Sequence, residues 1–407
     1  MLAFTTGTIL TPRDAIDNGC LLVERGIIYS VSAAAGIAQD IPFPASVLVA
    51  DFGRDVIAPG YLDLHIHGAG GFDVMDDDPD ALPTIERFLV RHGVTSYLPT
   101  TVTAPLDTTL QALERIAIAI EAHETERTTM HDAIATSLSA RHIFAGRAQP
   151  LGIHLEGPFI SHARRGVHPL QDLLPPSLAT FERLWQAARG RIRMMTIAPE
   201  LDGAMDLIAA AAARGVCVSL GHSDADLATT ERAISAGARH ATHTFNAMRP
   251  LAHRDPGIAG SVLTNDSVTA DLIADGIHLD PAIVKLIARA KGPEKTVLIT
   301  DAISATGKPD GRYHLGLMEV EVKGGRCESA GKLAGSVLTM DAAVRNLAKF
   351  AGWDLTEAIA TANRNPARVL SSNNKGVLAP GADADFLVLD SEGRVMRTFI
   401  GGVECSS

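Results

Sequence analysis

From about Gly60 to Gly307 the chain alternates apolar, strand-like runs with segments of helical period. Eight runs carry the pattern: VIAPGYLDLHIH, GVTSYLPTTV, PLGIHLEGPF, IRMMTIAPE, GVCVSLGHS, HATHTFNAM, SVTADLIADGIH and TVLITDAIS. Helical periodicity lies between several of them, over Asp80–His92, Thr108–Ala122, Pro176–Ala188, Gly203–Arg214, Asp224–Gly237 and Pro281–Ala290. Continuously apolar strands are buried on both faces, and alternation with helices makes their sheet parallel. Eight such units predict an α/β fold, a (β/α)8 barrel of the TIM type. A doubly wound open sheet is the alternative, and it normally shows G-x-G-x-x-G after its first strand. Gly68-Ala69-Gly70-Gly71 does not fit that spacing.

The two ends read differently. Met1 to Asp55 and the tail GVLAPGADADFLVLDSEGRVMRTFIGG are short β elements broken by turns. They predict one small β-sandwich built from both termini, residues 1–58 and 372–407, flanking a catalytic barrel over 59–371. Three helices close that barrel segment, within Thr339–Phe350, Leu355–Ala362 and Pro366–Leu370. Gly311–Leu333 alternates like a hairpin set, and Thr125–Gln149 reads as a polar insertion without a pattern.

Composition narrows the function. With 46% hydrophobic residues among 407 and a net charge of −11, the chain has a sizeable core and no basic tract for nucleic acid. Cys20, Cys217, Cys327 and Cys405 are scattered with no CxxC pair, which suits reduced thiols in a cytoplasmic protein. No apolar run is long enough to span a bilayer, so no membrane partner is expected.

Chemistry is concentrated where the runs end. His65 and His67 are two apart at the end of a strand, so both rings leave on one face. Alone, such a pair is more often two hydrogen-bonded core histidines. Glu156 stands in an apolar run, where a carboxylate needs an ion pair or a metal. His154 shares its face, with an even chance of touching the site. His222, His243 and Asp301 end the fifth, sixth and eighth runs. Barrel enzymes assemble their sites at that end of the sheet. The coincidence yields His65, His67, Glu156, His222 and His243 as ligands, with Asp301 as further ligand, helix N-cap or proton carrier. Nitrogen and carboxylate donors without thiolate suit zinc, iron or manganese. Such an ion acidifies its water and polarises a carbonyl, and a nearby carboxylate moves the proton.

The motifs HIHG, GIHLEGPFI, GHSDA, ATHTFNAM, HRDPG, DGIH, LITDA, LAGSVLTMDAAVRN and ADFLVLD resemble the amidohydrolase superfamily over nearly the whole chain. More narrowly they resemble its N-acetylglucosamine-6-phosphate deacetylase family. The resemblance implies a metal-dependent hydrolase barrel with a flanking β-sandwich, holding one or two divalent ions. It implies that Glu156, His222 and His243 bind metal, that His65 and His67 match a second metal position, and that Asp301 is catalytic. Val167 and His168 match contacts to an acetamido group, with His168 also steadying the oxyanion. Asn246 and Ala247 match contacts to a sugar phosphate, and Arg254 matches an arginine reaching that phosphate across a homodimer interface. Asp275 to His278 and Leu333, Ala334 and Gly335 match further substrate-lining segments. The implied reaction turns N-acetylglucosamine 6-phosphate into glucosamine 6-phosphate and acetate. The galacto epimer as substrate, a cyclic-amide hydrolase of the dihydroorotase type and a non-catalytic scaffold stand as alternatives. The chain departs from the pattern at His253, Asp255 and Pro169 and in the length of Thr125–Gln149.

Overall fold

A computed structural model of the protein describes residues 1–12, 14–34, 47–136 and 146–405. Its centre is a ring of parallel strands: Tyr61–Ile66, Val94–Thr101, Ile153–Glu156, Ile192–Ile197, Cys217–Leu220, His240–Ala241, Thr269–Leu272 and Thr296–Leu298. Each pairs with the next in parallel register. The ring closes where Ile66 bridges Ala302. There the Asp301 N–H donates to the His65 carbonyl at 2.9 Å and the His67 N–H to the Ala302 carbonyl at 2.8 Å.

Burial explains the strand composition. Every residue of Tyr61–Ile66 and of Val94–Thr101 is buried, as a strand between barrel interior and helix layer requires. The covering helices bury one stripe each. Ala204, Leu207, Ile208 and Ala211 form that stripe on Ala204–Ala213. Side-chain caps fix several helix starts: Ser177 accepts from the Thr180 N–H, Asp226 from Thr229 and Asp280 from Ala282. Asp354 and Glu357 form a capping box.

The structure corrects several sequence expectations. The run Val56–His67 is two strands. Val56–Pro59 joins the terminal sheet, and Tyr61–Ile66 opens the barrel. Gly60 stands at the crossing, where a Cβ would lie 2.2 Å from Thr95 Oγ1, so a side chain has no room. Thr108–Ala122 is part of a longer helix, Leu106–Thr136, which absorbs the first half of the expected insertion. Residues 137–145 of that insertion lie outside the described residues. The periodicity missed a helix, Gly257–Thr264, whose residues from Gly257 to Leu263 are all buried and so show no polar face. The hairpin set expected over Gly311–Leu333, by contrast, is present as a four-stranded antiparallel sheet.

Leu2–Leu10, Ala15–Glu24, Ile27–Ala33, Leu48–Asp51 and Val56–Pro59 form one sheet with Phe386–Leu389, Val395–Ile400 and Val403–Glu404. Three pairings separate Leu2–Leu10 from Val395–Ile400, about 14 Å on a flat sheet. Yet the Phe4 and Phe399 ring centroids are 5.4 Å apart, and Phe386 stacks on Phe399 at 4.4 Å. The sheet therefore curls over its own aromatic core, the sandwich expected from both termini. No helix among the described residues is long and apolar enough to cross a membrane, and all four cysteines are free.

Candidate metal centre

Six side chains converge at the ends of five barrel strands. His65 and His67 bring their Nε2 atoms to 3.1 Å of each other. Asp301 Oδ1 lies 3.5 and 3.2 Å from them, and Glu156 Oε2 lies 3.4 and 3.3 Å away. The other Glu156 oxygen, Oε1, is 3.1 Å from both His222 Nε2 and His243 Nε2, which are 3.0 Å apart. All six residues are buried. Glu156 thus stands between two groups of ring nitrogens and offers one oxygen to each.

Hydrogen bonds to the far side of each ring decide which nitrogen carries the proton. His67 Nδ1 meets the Thr100 carbonyl at 2.9 Å, His222 Nδ1 the Arg164 carbonyl at 2.9 Å, and His243 Nδ1 the Asn246 carbonyl at 3.2 Å. A carbonyl only accepts, so each Nδ1 holds the hydrogen and each Nε2 of a neutral ring is a bare lone pair. Three of the four rings, in their neutral form, therefore turn acceptors toward the acceptor oxygens of Glu156 and Asp301, while His65 Nδ1 has no partner among the described residues. A divalent cation satisfies that set, and the residues fit it. His168 is the opposite case. The Thr103 main-chain N–H donates to its Nδ1 at 3.3 Å, so its hydrogen sits on Nε2, 3.6 Å from Glu156 Oε2. His168 is a donor at the edge of the centre rather than a lone pair within it.

The electrostatics agree. Burial opposes charge on Glu156, but His65, His168, His222 and His243 hold its carboxyl well below the usual carboxylate range. Burial also opposes charge on Asp301, yet His65 and His67 bring it down to about 2. Burial disfavours charge on His243, while Glu156 beside it raises its proton affinity to about 9. At His222 burial wins instead and lowers its proton affinity to about 4, which leaves that ring the bare lone pair a metal ion takes.

Local backbone places these groups. His222, His243 and Asp301 have φ of 46°, 31° and 51°, the left-handed region that non-glycine residues avoid. Each sits at the turn leaving its strand. Asp271, fully buried, holds the His243 turn, since its Oδ1 accepts the His243 N–H and its Oδ2 lies 2.9 Å from His240 Nε2. Sequence reasoning missed Asp63, Asp271, His240 and Thr103. For the two aspartates the usable signal was a carboxylate inside an apolar run, the argument already applied to Glu156, and no such signal marks His240 or Thr103.

The remaining expected residues lie around this cluster or away from it. His154 is buried but turns away, with Nδ1 at 3.0 Å from the Leu64 carbonyl and Nε2 at 2.8 Å from Thr196 Oγ1. Val167 and His168 lie on a loop against the centre, where a Cβ on Gly166 would lie 3.3 Å from the His222 ring. Lys332 Nζ donates to the Gly166 carbonyl at 3.4 Å, tying that loop to Leu333, Ala334 and Gly335. The next residue, Ser336, donates its N–H to the Asp301 carbonyl at 2.7 Å. Asp275 accepts from the His278 N–H at 2.8 Å and lies 2.7 Å from its Nδ1. Asn246 Nδ2 is buried with no partner among the described residues, beside Ala247 at φ 49°. Arg254 is exposed, and Asp255 pairs with Arg249 at 3.5 Å.

A parallel barrel with a polar ligand cluster at its strand ends and a sheet from both termini defines a metal-dependent hydrolase class. The profile of the Amidohydrolase family matches residues 56–405, and the chain belongs to that family. It is 38% identical to the N-acetylgalactosamine-6-phosphate deacetylase of Escherichia coli O157:H7 over 396 residues, 97% of this chain and 96% of that one. It is 35% identical to the N-acetylglucosamine-6-phosphate deacetylase of Bacillus subtilis over 399 residues, 97% and 94% of the two chains. A solved variant of the N-acetyl-D-glucosamine-6-phosphate deacetylase of Mycobacterium smegmatis, in complex with N-acetyl-D-glucosamine-6-phosphate, superposes with a TM-score of 0.87. The identity is 33%, with 100% of this chain and 99% of that one covered.

Proposed function

We propose that the chain removes the acetyl group of N-acetylglucosamine 6-phosphate, yielding glucosamine 6-phosphate and acetate in amino-sugar catabolism or recycling. The observation that carries this reading is the cluster of ring nitrogens on both oxygens of Glu156, in a chain whose relatives of that name match it almost end to end. His65, His67, Glu156, His222 and His243 would hold one or two ions of zinc, iron or manganese, with Asp301 beside them. When bound, the ion polarises the amide carbonyl and acidifies water.

The chain's own groups do the rest. Asp301, ionised, takes a proton from the attacking water and returns it to the amine nitrogen as the C–N bond breaks. His168 donates its Nε2 hydrogen toward the carbonyl oxygen as negative charge grows there. Val167, Ala247, Asp275, His278, Leu333, Ala334 and Gly335 line the sugar. The open Nδ2 donor of Asn246 faces the phosphate, and Arg254 reaches the phosphate of the neighbouring subunit in a homodimer. A protein of net charge −11 needs such donors to hold a dianion. The four free thiols suit a cytoplasmic setting.

One observation favours a second reading: the Escherichia coli relative that matches 97% of this chain is named for the galacto epimer. The two sugars differ at one hydroxyl. Acetate release from both epimer phosphates, alongside elemental analysis, tests both readings. Higher kcat/KM on the gluco substrate supports the first, higher on the galacto substrate supports the second, and release from neither sinks both. Arg254→Ala raises KM about tenfold with kcat kept, the loss of one charged contact. An unchanged KM removes Arg254 from the phosphate site.

A further inference from the structure

Asp63 is a fully buried carboxylate with no role in the reaction described above. It sits two residues before His65 on the first barrel strand and faces the last, at the seam where the barrel closes. Three donors converge on it. Oδ1 accepts the Thr300 N–H and the His65 N–H, each at 3.3 Å. Oδ2 accepts the Thr300 hydroxyl at 2.5 Å. That hydroxyl in turn accepts the Ala302 N–H at 3.2 Å. The residue between these two anchors is Asp301, in its left-handed conformation.

A left-handed non-glycine residue persists only where its surroundings over-determine it. Here the flanking residues are both pinned, and both pins lead to Asp63. Ser336 completes the grip by donating its N–H to the Asp301 carbonyl and its hydroxyl to the Thr300 carbonyl, at 2.7 and 2.6 Å. The choice of side chain is also explained. A carboxylate offers acceptors at both oxygens, whereas an amide would turn N–H groups toward the Thr300 hydroxyl. With its oxygens met by donors, Asp63 has no reason to bind a cation.

We infer that Asp63 is a positioning residue for Asp301, acting through Thr300 to hold the turn that aims the Asp301 carboxylate at the reacting atoms. The inference rests on the reading of Asp301 as proton carrier. Its structural half, that Asp63 sets where Asp301 lies, stands on its own.

The test uses the full chain with Asp63→Ala, Asp63→Asn, Thr300→Val and Thr300→Ser. For each, kcat and KM for acetate release, metal content per chain and a crystal structure are measured. Asp63→Ala and Thr300→Val lower kcat by about 10- to 100-fold, the size of a small misplacement of a catalytic group. KM and metal content hold within about twofold. Asp63→Asn, which keeps the two main-chain contacts, and Thr300→Ser, which keeps the hydroxyl, recover part of the loss. Crystals of Thr300→Val show the Asp301 carboxylate displaced from its 3.2 Å contact with His67. If Asp63→Ala fails to fold, the Thr300 pair decides. Unchanged kcat in folded variants, a loss that tracks metal content, or an unmoved Asp301 overturns the inference. A wild-type protein that releases no acetate overturns the parent reading instead, and the crystal comparison then still judges Asp63.

Discussion

His65 lies in the first barrel strand and His67 just past its end, while His222 and His243 stand on strained turns past theirs. In the first pair, the alternation of the extended chain puts the rings on one face, and the Thr100 carbonyl of the neighbouring strand fixes the His67 ring. In the second, φ values of 46° and 31° and carbonyls from loops aim the rings. The His222 ring is fixed by Arg164, 58 residues away in sequence. One half of the centre takes its geometry from the barrel sheet, and the other half is assembled by loops. Damage to loops should therefore disable the second half without touching a ligand, and should spare the first.

The largest expected effect crosses both halves. Asp301→Asn lowers kcat by about 10³- to 10⁴-fold, the contribution of a general acid–base group, while calorimetry still detects substrate binding. Retention of most of the rate would make the carboxylate a bystander. The comparison itself is sharpened by His222→Ala against His65→Ala. Both lower metal content, and the loss of kcat/KM in His222→Ala exceeds that in His65→Ala by about tenfold, because Glu156 Oε1 then keeps a single imidazole, whereas in His65→Ala the remaining His67 keeps both Glu156 Oε2 and Asp301 Oδ1 beside it. Equal losses would mean that the two halves contribute alike. Asp271→Asn comes next. It weakens metal binding by about tenfold in competition with a chelator, through the His243 turn alone. Phe386→Ala is smallest for catalysis and largest for the fold. It removes about 3–5 kcal/mol of stability from the terminal aromatic core, with kcat unchanged in the folded fraction. A changed kcat would show that the curled sheet reaches the centre.

The same contrast explains what was legible in the sequence. Apolar runs ending in His, Glu or Asp pointed to the barrel and to its six clustered side chains, because a parallel strand is apolar along its length and polar only where it leaves the sheet. Gly257–Thr264 escaped because a helix buried at nearly every position has no periodicity to read. Asp63 and Asp271 stand inside apolar runs, where the signal that singled out Glu156 applies to them too, but their partners are set by the fold. The donor role of His168 depends on Thr103, 65 residues earlier in the chain. No local pattern carries such information.

Val56–Pro59 pairs with Phe386–Leu389, some 330 residues further on. During synthesis, then, this apolar edge leaves the ribosome long before its neighbour exists. Its unmet main-chain groups are a template for association with other nascent chains for most of translation. Production of this protein should depend on chaperone supply more than its compact final form suggests, and slowed translation of the last segment should lower its soluble yield.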